Sequence, residues 1–110
     1  MLPLTTYASL AGTGISHGIS TRAGGVSVGP YSSLNLGASV GDAPEAVTEN
    51  RARLAVALGF EPERLVTTPQ VHGKDVLVVD ETTASQALST RADILVSRTP
   101  GFLLMQRLAD

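Results

Sequence analysis

Few side chains in this 110-residue sequence could carry chemistry, and its two histidines, His17 and His72, come first. An imidazole can act as general base, proton shuttle or metal ligand. A metal needs three or four donors, however, and one ring supplies one, so a histidine beside a strand is more often a hydrogen-bonded structural residue. His72 has the more suggestive setting, because Pro69-Gln70-Val71-His72-Gly73 lies between two apolar runs, and loops carried on rigid strands are where catalytic groups usually sit. Gly14-Ile15-Ser16-His17-Gly18 matches the G-x-S-x-G pattern of a nucleophile elbow. An elbow serine sits between a buried strand and a following helix, with its acid and histidine partners later in the chain. Here the pattern comes early and runs into Ile19-Ser20-Thr21, which reads as strand, so the match is taken as accidental. Gly12, Gly14 and Gly18 miss the dinucleotide-binding spacing by one residue, with no strand before them.

Composition narrows the classes of function. The chain has 10 acidic and 8 basic side chains, a net charge of −2 and no cysteine. No basic block offers a footprint for nucleic acid or for an anionic membrane surface, and no disulfide or thiolate metal site can be built from these residues alone. The N-terminal residues lack a signal-peptide pattern and no run is long enough for a membrane span, so a cytoplasmic protein is expected. Hydrophobic residues make up 43% and charged ones 16%. Arg22 is the one charged side chain in residues 1–41, as though that segment lay against something else. The apolar run Phe102-Leu103-Leu104-Met105-Gln106-Arg107-Leu108 close to the last residue predicts a chain cut inside its fold, since domains usually end in polar, exposed residues.

Local patterns predict the elements that would position these groups. Residues 15–21 read as a short strand, followed by a turn at Ala23-Gly24-Gly25 and a structured loop over 26–41. Asp42-Ala43-Pro44-Glu45 predicts an N-cap, a first-turn proline and a capping box for a helix over about 43–58, closed by Gly59. Val47, Leu54 and Leu58, flanked by Ala55 and Ala57, form its apolar stripe. Asn50 and Arg51 fall on the same stripe, where they either bond the preceding loop or contact substrate. Strands are predicted at 65–68, 76–79, 94–97 and 102–108, their near-continuous apolar character implying cover on both faces. One helix beside so many strands is too little cover, so the remainder is expected from further sequence or another chain.

The order of motifs adds a resemblance. His17-Gly18-Ile19-Ser20-Thr21-Arg22-Ala23-Gly24-Gly25-Val26-Ser27, Tyr31-Ser32-Ser33-Leu34-Asn35-Leu36-Gly37, Val40-Gly41-Asp42, Glu49-Asn50-Arg51, Gln70-Val71-His72-Gly73, Ala92-Asp93 and Leu108-Ala109-Asp110 together resemble the purine nucleoside phosphorylase and peptidoglycan-editing-factor family, long labelled laccase-domain or multicopper polyphenol oxidase proteins. The resemblance runs from about residue 15 to 110.

It implies an α/β fold, layered α/β/β/α with mixed sheets, of which residues 1–110 are the N-terminal part of one cytoplasmic domain. It implies phosphorolysis of inosine, guanosine and adenosine to base and ribose 1-phosphate, with adenosine deamination at the same site. The partners are then a small-molecule nucleoside and phosphate. It also implies one zinc ion, held by His72, by a cysteine following Asp110 and by a later histidine. The segment alone, with one ligand, is expected to be inactive and to fold poorly. Copper, named in the family label, is the weaker expectation, since a type-1 copper site needs Cys and more His. Arg22 beside Gly24 and Gly25 could bind a phosphate or substrate oxyanion through its fork and the neighbouring N–H groups, or could pin the loop by bonding carbonyls. Asn35 and Gln70 enter as substrate-orienting groups on the resemblance. The other readings are an amidase editing peptidoglycan precursors and a non-catalytic binding module.

Overall fold

The computed structural model describes residues 2–108 as two compact units, one up to Pro62 and one from Glu63 onward. Helix, parallel strands and antiparallel strands are all present, making the fold mixed α/β.

In the first unit, strand β1 (Leu4–Thr5) pairs antiparallel with β2 (Ile19–Ser20), Leu4 opposite Ser20 and Thr5 opposite Ile19. The strand expected over 15–21 is thus confined to two residues. Its partner β1 lies in a Leu-Pro-Leu-Thr-Thr stretch too short and too broken to show a strand period. Between them Tyr7 N–H donates to His17 Nε2 at 2.8 Å, and the two rings stack with centroids 6.1 Å apart.

Helix α1 (Pro44–Ala57) is the main element of this unit. Its C-terminus follows the expected pattern in full. Gly59 takes φ +86°, its N–H donates to Val56 O at 3.0 Å, and Phe60 N–H donates to Ala55 O at 2.9 Å, the two bonds of a Schellman motif. The N-terminus departs from expectation. The N-cap is Ala43 and has no side-chain cap bond, because the Asp42 carboxylate is drawn elsewhere. Its Oδ1 accepts from Ala43 N–H at 2.8 Å, and its Oδ2 accepts from Ser27 Oγ and from Asn35 Nδ2. Pro44, first in the helix, brings no N–H of its own to be satisfied there.

The buried side of α1 holds Val47, Leu54 and Ala55, together with Asn50, which is 0% exposed; Leu34 of the preceding loop is also buried. Asn50 is fully engaged: its Oδ1 accepts from Val26 N–H at 2.9 Å, and its Nδ2 donates to Ser27 Oγ and Asn35 O, both at 2.8 Å. One turn further, Arg51 donates to Leu36 O through Nε and Nη2 at 3.0 and 2.8 Å. Both polar residues on the stripe therefore hold the 26–37 loop, the structural alternative of the two. Burial requires such satisfaction, since an unpaired amide there would cost about 1–3 kcal/mol.

In the second unit, β3 (Leu65–Val66) pairs in parallel with β6 (Leu103–Leu104), and β4 (Val76–Val79) in parallel with β5 (Ile94–Ser97). Val66, Val79 and Ala87 form the core, with Leu77, Ala84, Leu95, Phe102 and Leu104 packed on it. A parallel pair needs a crossover, and a 3₁₀ segment, Ala84–Ser89, supplies it between β4 and β5. Within the described residues this pair is covered on one face. Val76, Val78, Ile94 and Val96 are 42–54% exposed, because successive side chains of a strand point to opposite faces and the core packs on the face of Leu77, Val79 and Leu95.

Candidate functional site

His72 belongs to the loop joining β3 to β4, and its conformation is unusual. Its φ is +58°, the one positive value at a non-glycine among the described residues, in a region sparsely populated by L-residues. Asp93, immediately before β5, accounts for this geometry. Its Oδ1 accepts from Val71 N–H at 2.9 Å and Gly73 N–H at 3.1 Å, and its Oδ2 accepts from His72 N–H at 3.1 Å. Three consecutive amides thus converge on one carboxylate, an anion-binding curl of backbone whose anion is supplied by the chain itself. The N–H bonds, that of Val71 first and then that of Gly73, hold the Asp93 carboxyl below its usual pKa against an opposing desolvation effect. The His72 residue is exposed.

Two glutamines fasten this loop to the segment after β6. Gln70 Nε2 donates to Arg107 O at 3.1 Å while its Oε1 accepts from Arg107 N–H at 2.8 Å. Gln106 Nε2 donates to the backbone carbonyl of Asp93 at 2.9 Å. The stretch expected as strand over 102–108 is strand only at Leu103–Leu104; from Gln106 onward side-chain amides take over the pairing. Both ends of the Gln70 amide are thus engaged with backbone.

The first unit contains the other expected residues. Arg22, Pro30, Tyr31, Ser32, Leu34 and Asn35 line an open cleft of about 330 Å³. Arg22 Nε donates to Ser32 O at 3.2 Å, and its own carbonyl accepts from Ser33 N–H, Leu34 N–H and Ser33 Oγ, each at 2.8 Å. Arg22 therefore pins the loop and also lines the cleft. Gly24 takes φ +99°, and its carbonyl accepts from Arg53 Nη1 at 3.1 Å. Gly25 is a close-approach glycine. A Cβ there would lie 2.5 Å from Leu34 Cα and 2.6 Å from Asn50 Oδ1, and closer still to Ser33 O. Its N–H donates to Ser33 Oγ at 3.2 Å, so it is engaged within the loop and not offered to an oxyanion. Asn35 is likewise committed to the loop: Nδ2 donates to Gly37 O and Asp42 Oδ2, and Oδ1 accepts from Gly37 N–H. Of the expected substrate-binding set, Arg22 and Asn35 share the cleft, while Gln70 lies with His72.

Among the described residues no group of three or more His, Cys, Asp or Glu side chains is arranged to hold a metal ion. His17 accepts a backbone N–H at Nε2, which assigns its proton to Nδ1, facing Ile15 O at 3.5 Å; its ring serves structure. Ser16 of the elbow-like pattern donates to Leu58 O at 2.6 Å, and the element that follows it is strand β2, not a helix. His72 is thus one donor, and residues 2–108 do not by themselves make a zinc or copper site. No described helix is long and apolar enough to cross a membrane.

Asp93 is the residue that sequence reasoning missed. In sequence it is one half of an Ala-Asp pair, and its contacts span 20–22 residues, beyond the reach of any local pattern.

A family model described as multi-copper polyphenol oxidoreductase laccase matches residues 16–110. The chain is 50% identical over 97 residues to the purine nucleoside phosphorylase YfiH of Escherichia coli, covering 88% of this chain and 38% of that protein. It is 45% identical over 109 residues to the purine nucleoside phosphorylase of Deinococcus radiodurans, covering 99% of this chain and 40% of that one. Among solved structures, YlmD from Geobacillus stearothermophilus superposes with a TM-score of 0.70 at 41% identity, over 79% of this chain and 34% of YlmD. The chain thus spans about two fifths of the length of the curated relatives it matches.

Proposed function

Since the chain belongs to the multi-copper polyphenol oxidoreductase laccase family, we propose that it forms part of a purine nucleoside phosphorylase that also deaminates adenosine. Relatives at 45–50% identity carry the phosphorylase name. The observation that carries the reading is His72, exposed and held at φ +58° by a carboxylate gripping its own loop. A backbone held in a sparsely populated conformation beneath an exposed side chain is costly to maintain without use.

Phosphorolysis transfers a ribosyl group from purine to phosphate, so phosphate must be bound and the departing purine stabilised. In this reading Arg22 supplies a permanent positive charge and a planar donor fork for a phosphate-class anion. His72 supplies an imidazole on a loop whose backbone Asp93 holds. Zinc is part of the proposal, with His72 as this chain's ligand and the other donors outside residues 2–108; when bound it would supply a Lewis acid. The reaction takes place in the cytoplasm.

The test uses the whole protein that carries this sequence. Hypoxanthine should be released from inosine only when phosphate is present, with ribose 1-phosphate as co-product, and ammonia should be released from adenosine. His72→Asn, a residue that tolerates positive φ, should lower kcat by about 100-fold or more. Phosphate-independent hypoxanthine release, or an unchanged rate in His72→Asn, overturns the reading.

A further inference from the structure

We propose that Asp93 is the positioning residue for His72, setting the direction of its side chain through the backbone of residues 71–73. The inference rests on the reading of His72 given above. A glycine stands one position later, at Gly73, yet the left-handed conformation falls on His72. Glycine chemistry therefore does not dictate the turn. What the three residues share is the Asp93 carboxylate, which takes all their N–H groups at 2.9–3.1 Å. Rotating the His72 peptide out of its conformation would withdraw its N–H from Oδ2 and disturb the two bonds at Oδ1.

A positioning group must itself be fixed, and Asp93 is held on every side. Its N–H donates to Asp75 O at 3.3 Å, and its carbonyl accepts from Gln106 Nε2 at 2.9 Å. The preceding Ala92, 1% exposed, is held by Pro69 O through its N–H and by Thr68 Oγ1 through its carbonyl, at 3.1 and 2.7 Å. The next residue begins β5. The carboxylate therefore projects from a fixed base into the His72 loop. Ionisation strengthens the grip, because charge-assisted N–H bonds are shorter and stronger than neutral ones.

Asp80 provides an internal comparison. Its Oδ1 accepts from Thr82 N–H at 2.8 Å and Thr83 N–H at 2.9 Å, a carboxylate clamp of the same kind on a turn that holds no candidate functional residue.

The experiment compares Asp93→Ala, Asp93→Asn and Asp80→Asn in the whole protein, reading kcat and KM for inosine, amide exchange of residues 71–73, and the NMR signals of the His72 ring. Asp93→Ala should lower kcat by about 10–100-fold with KM changed less than about threefold, speed exchange of the three amides, and shift the ring signals. Asp93→Asn keeps an acceptor for Val71 and Gly73 but turns an NH₂ toward the His72 N–H, so it should fall between. It also decides the matter if the alanine variant fails to fold. Asp80→Asn should leave kcat and the ring signals unchanged. Wild-type kcat and ring signals in Asp93→Ala, or an effect confined to KM, overturn the proposal, as does an equal loss of kcat in Asp80→Asn. If His72→Asn keeps full activity, the phosphorylase role of His72 falls. The exchange and ring signals of the Asp93 variants still decide whether Asp93 orients it.

Discussion

Gln70 and Arg107 are joined by a reciprocal pair of hydrogen bonds, side-chain amide to main chain, across 37 residues of sequence. The amide imitates one rung of a β-ladder and fastens the His72 loop to the segment that follows β6.

Gln70→Ala removes both bonds and leaves the half-buried Arg107 backbone N–H and C=O without them. The expected cost is about 1–3 kcal/mol, read as a lower urea midpoint at unchanged slope. An unchanged midpoint would mean that water replaces the amide at no cost.

Gly25 and Gly73 should respond oppositely to alanine. At Gly25 the new Cβ would collide with backbone and with Asn50 Oδ1 at 2.6 Å, whereas at Gly73 it would meet Val71 Cγ2 at 3.6 Å and Asp93 Oδ1 at 3.8 Å, ordinary contacts. Gly25→Ala should destabilise by about 3 kcal/mol or more and Gly73→Ala by less than about 1 kcal/mol. Equal thermal midpoints for the two variants would contradict the close approach at Gly25.

Stability should fall in acid through three carboxylates. Asp42 is held below its usual pKa foremost by the Ser27 hydroxyl, then by Asn35; Asp80 by the Thr83 and Thr82 amides; Asp93 by the Val71 and Gly73 amides. In each case the unfolded chain binds the proton more readily than the folded one. The stabilisation is therefore complete above the unfolded value of about 3.9 and is lost as pH falls through the lower folded values. Urea midpoints should be flat from about pH 6 to 5 and decline below about pH 4. Asp42→Asn should reduce that decline, and the same slope in the variant would exclude Asp42 as a source.

These predictions also mark where the sequence was informative. The helix end was readable because Gly59 and the apolar spacing of Val47 and Leu54 are local signals, and β4 and β5 were readable because four-residue apolar runs bounded by polar residues leave little else. Asp42 was misjudged for the opposite reason. Its position before Pro44 suits an N-cap, but Ser27 and Asn35, distant in sequence, compete for the same oxygens. The candidate site divides in the same way. His72 was visible from its setting between apolar runs, whereas Gln70, Asn35 and Gly25 looked available to substrate and are engaged with backbone or side chains elsewhere in the loops. Asp93 was hidden because its meaning lies entirely in amides some twenty residues earlier.

The parallel pairing of β3 with β6 has a consequence for synthesis on the ribosome. At about 5–20 residues per second, the 37 residues between Gln70 and Arg107 take about 2–7 s to be made. Throughout that interval β3 lacks its neighbour and the Gln70 amide lacks the backbone it grips. Helix α1 and the 26–37 loop, joined by the bonds of Asn50, are already made by then. The nascent chain thus passes through a stage in which β4 and β5 are both made while β3 still presents an unpaired edge.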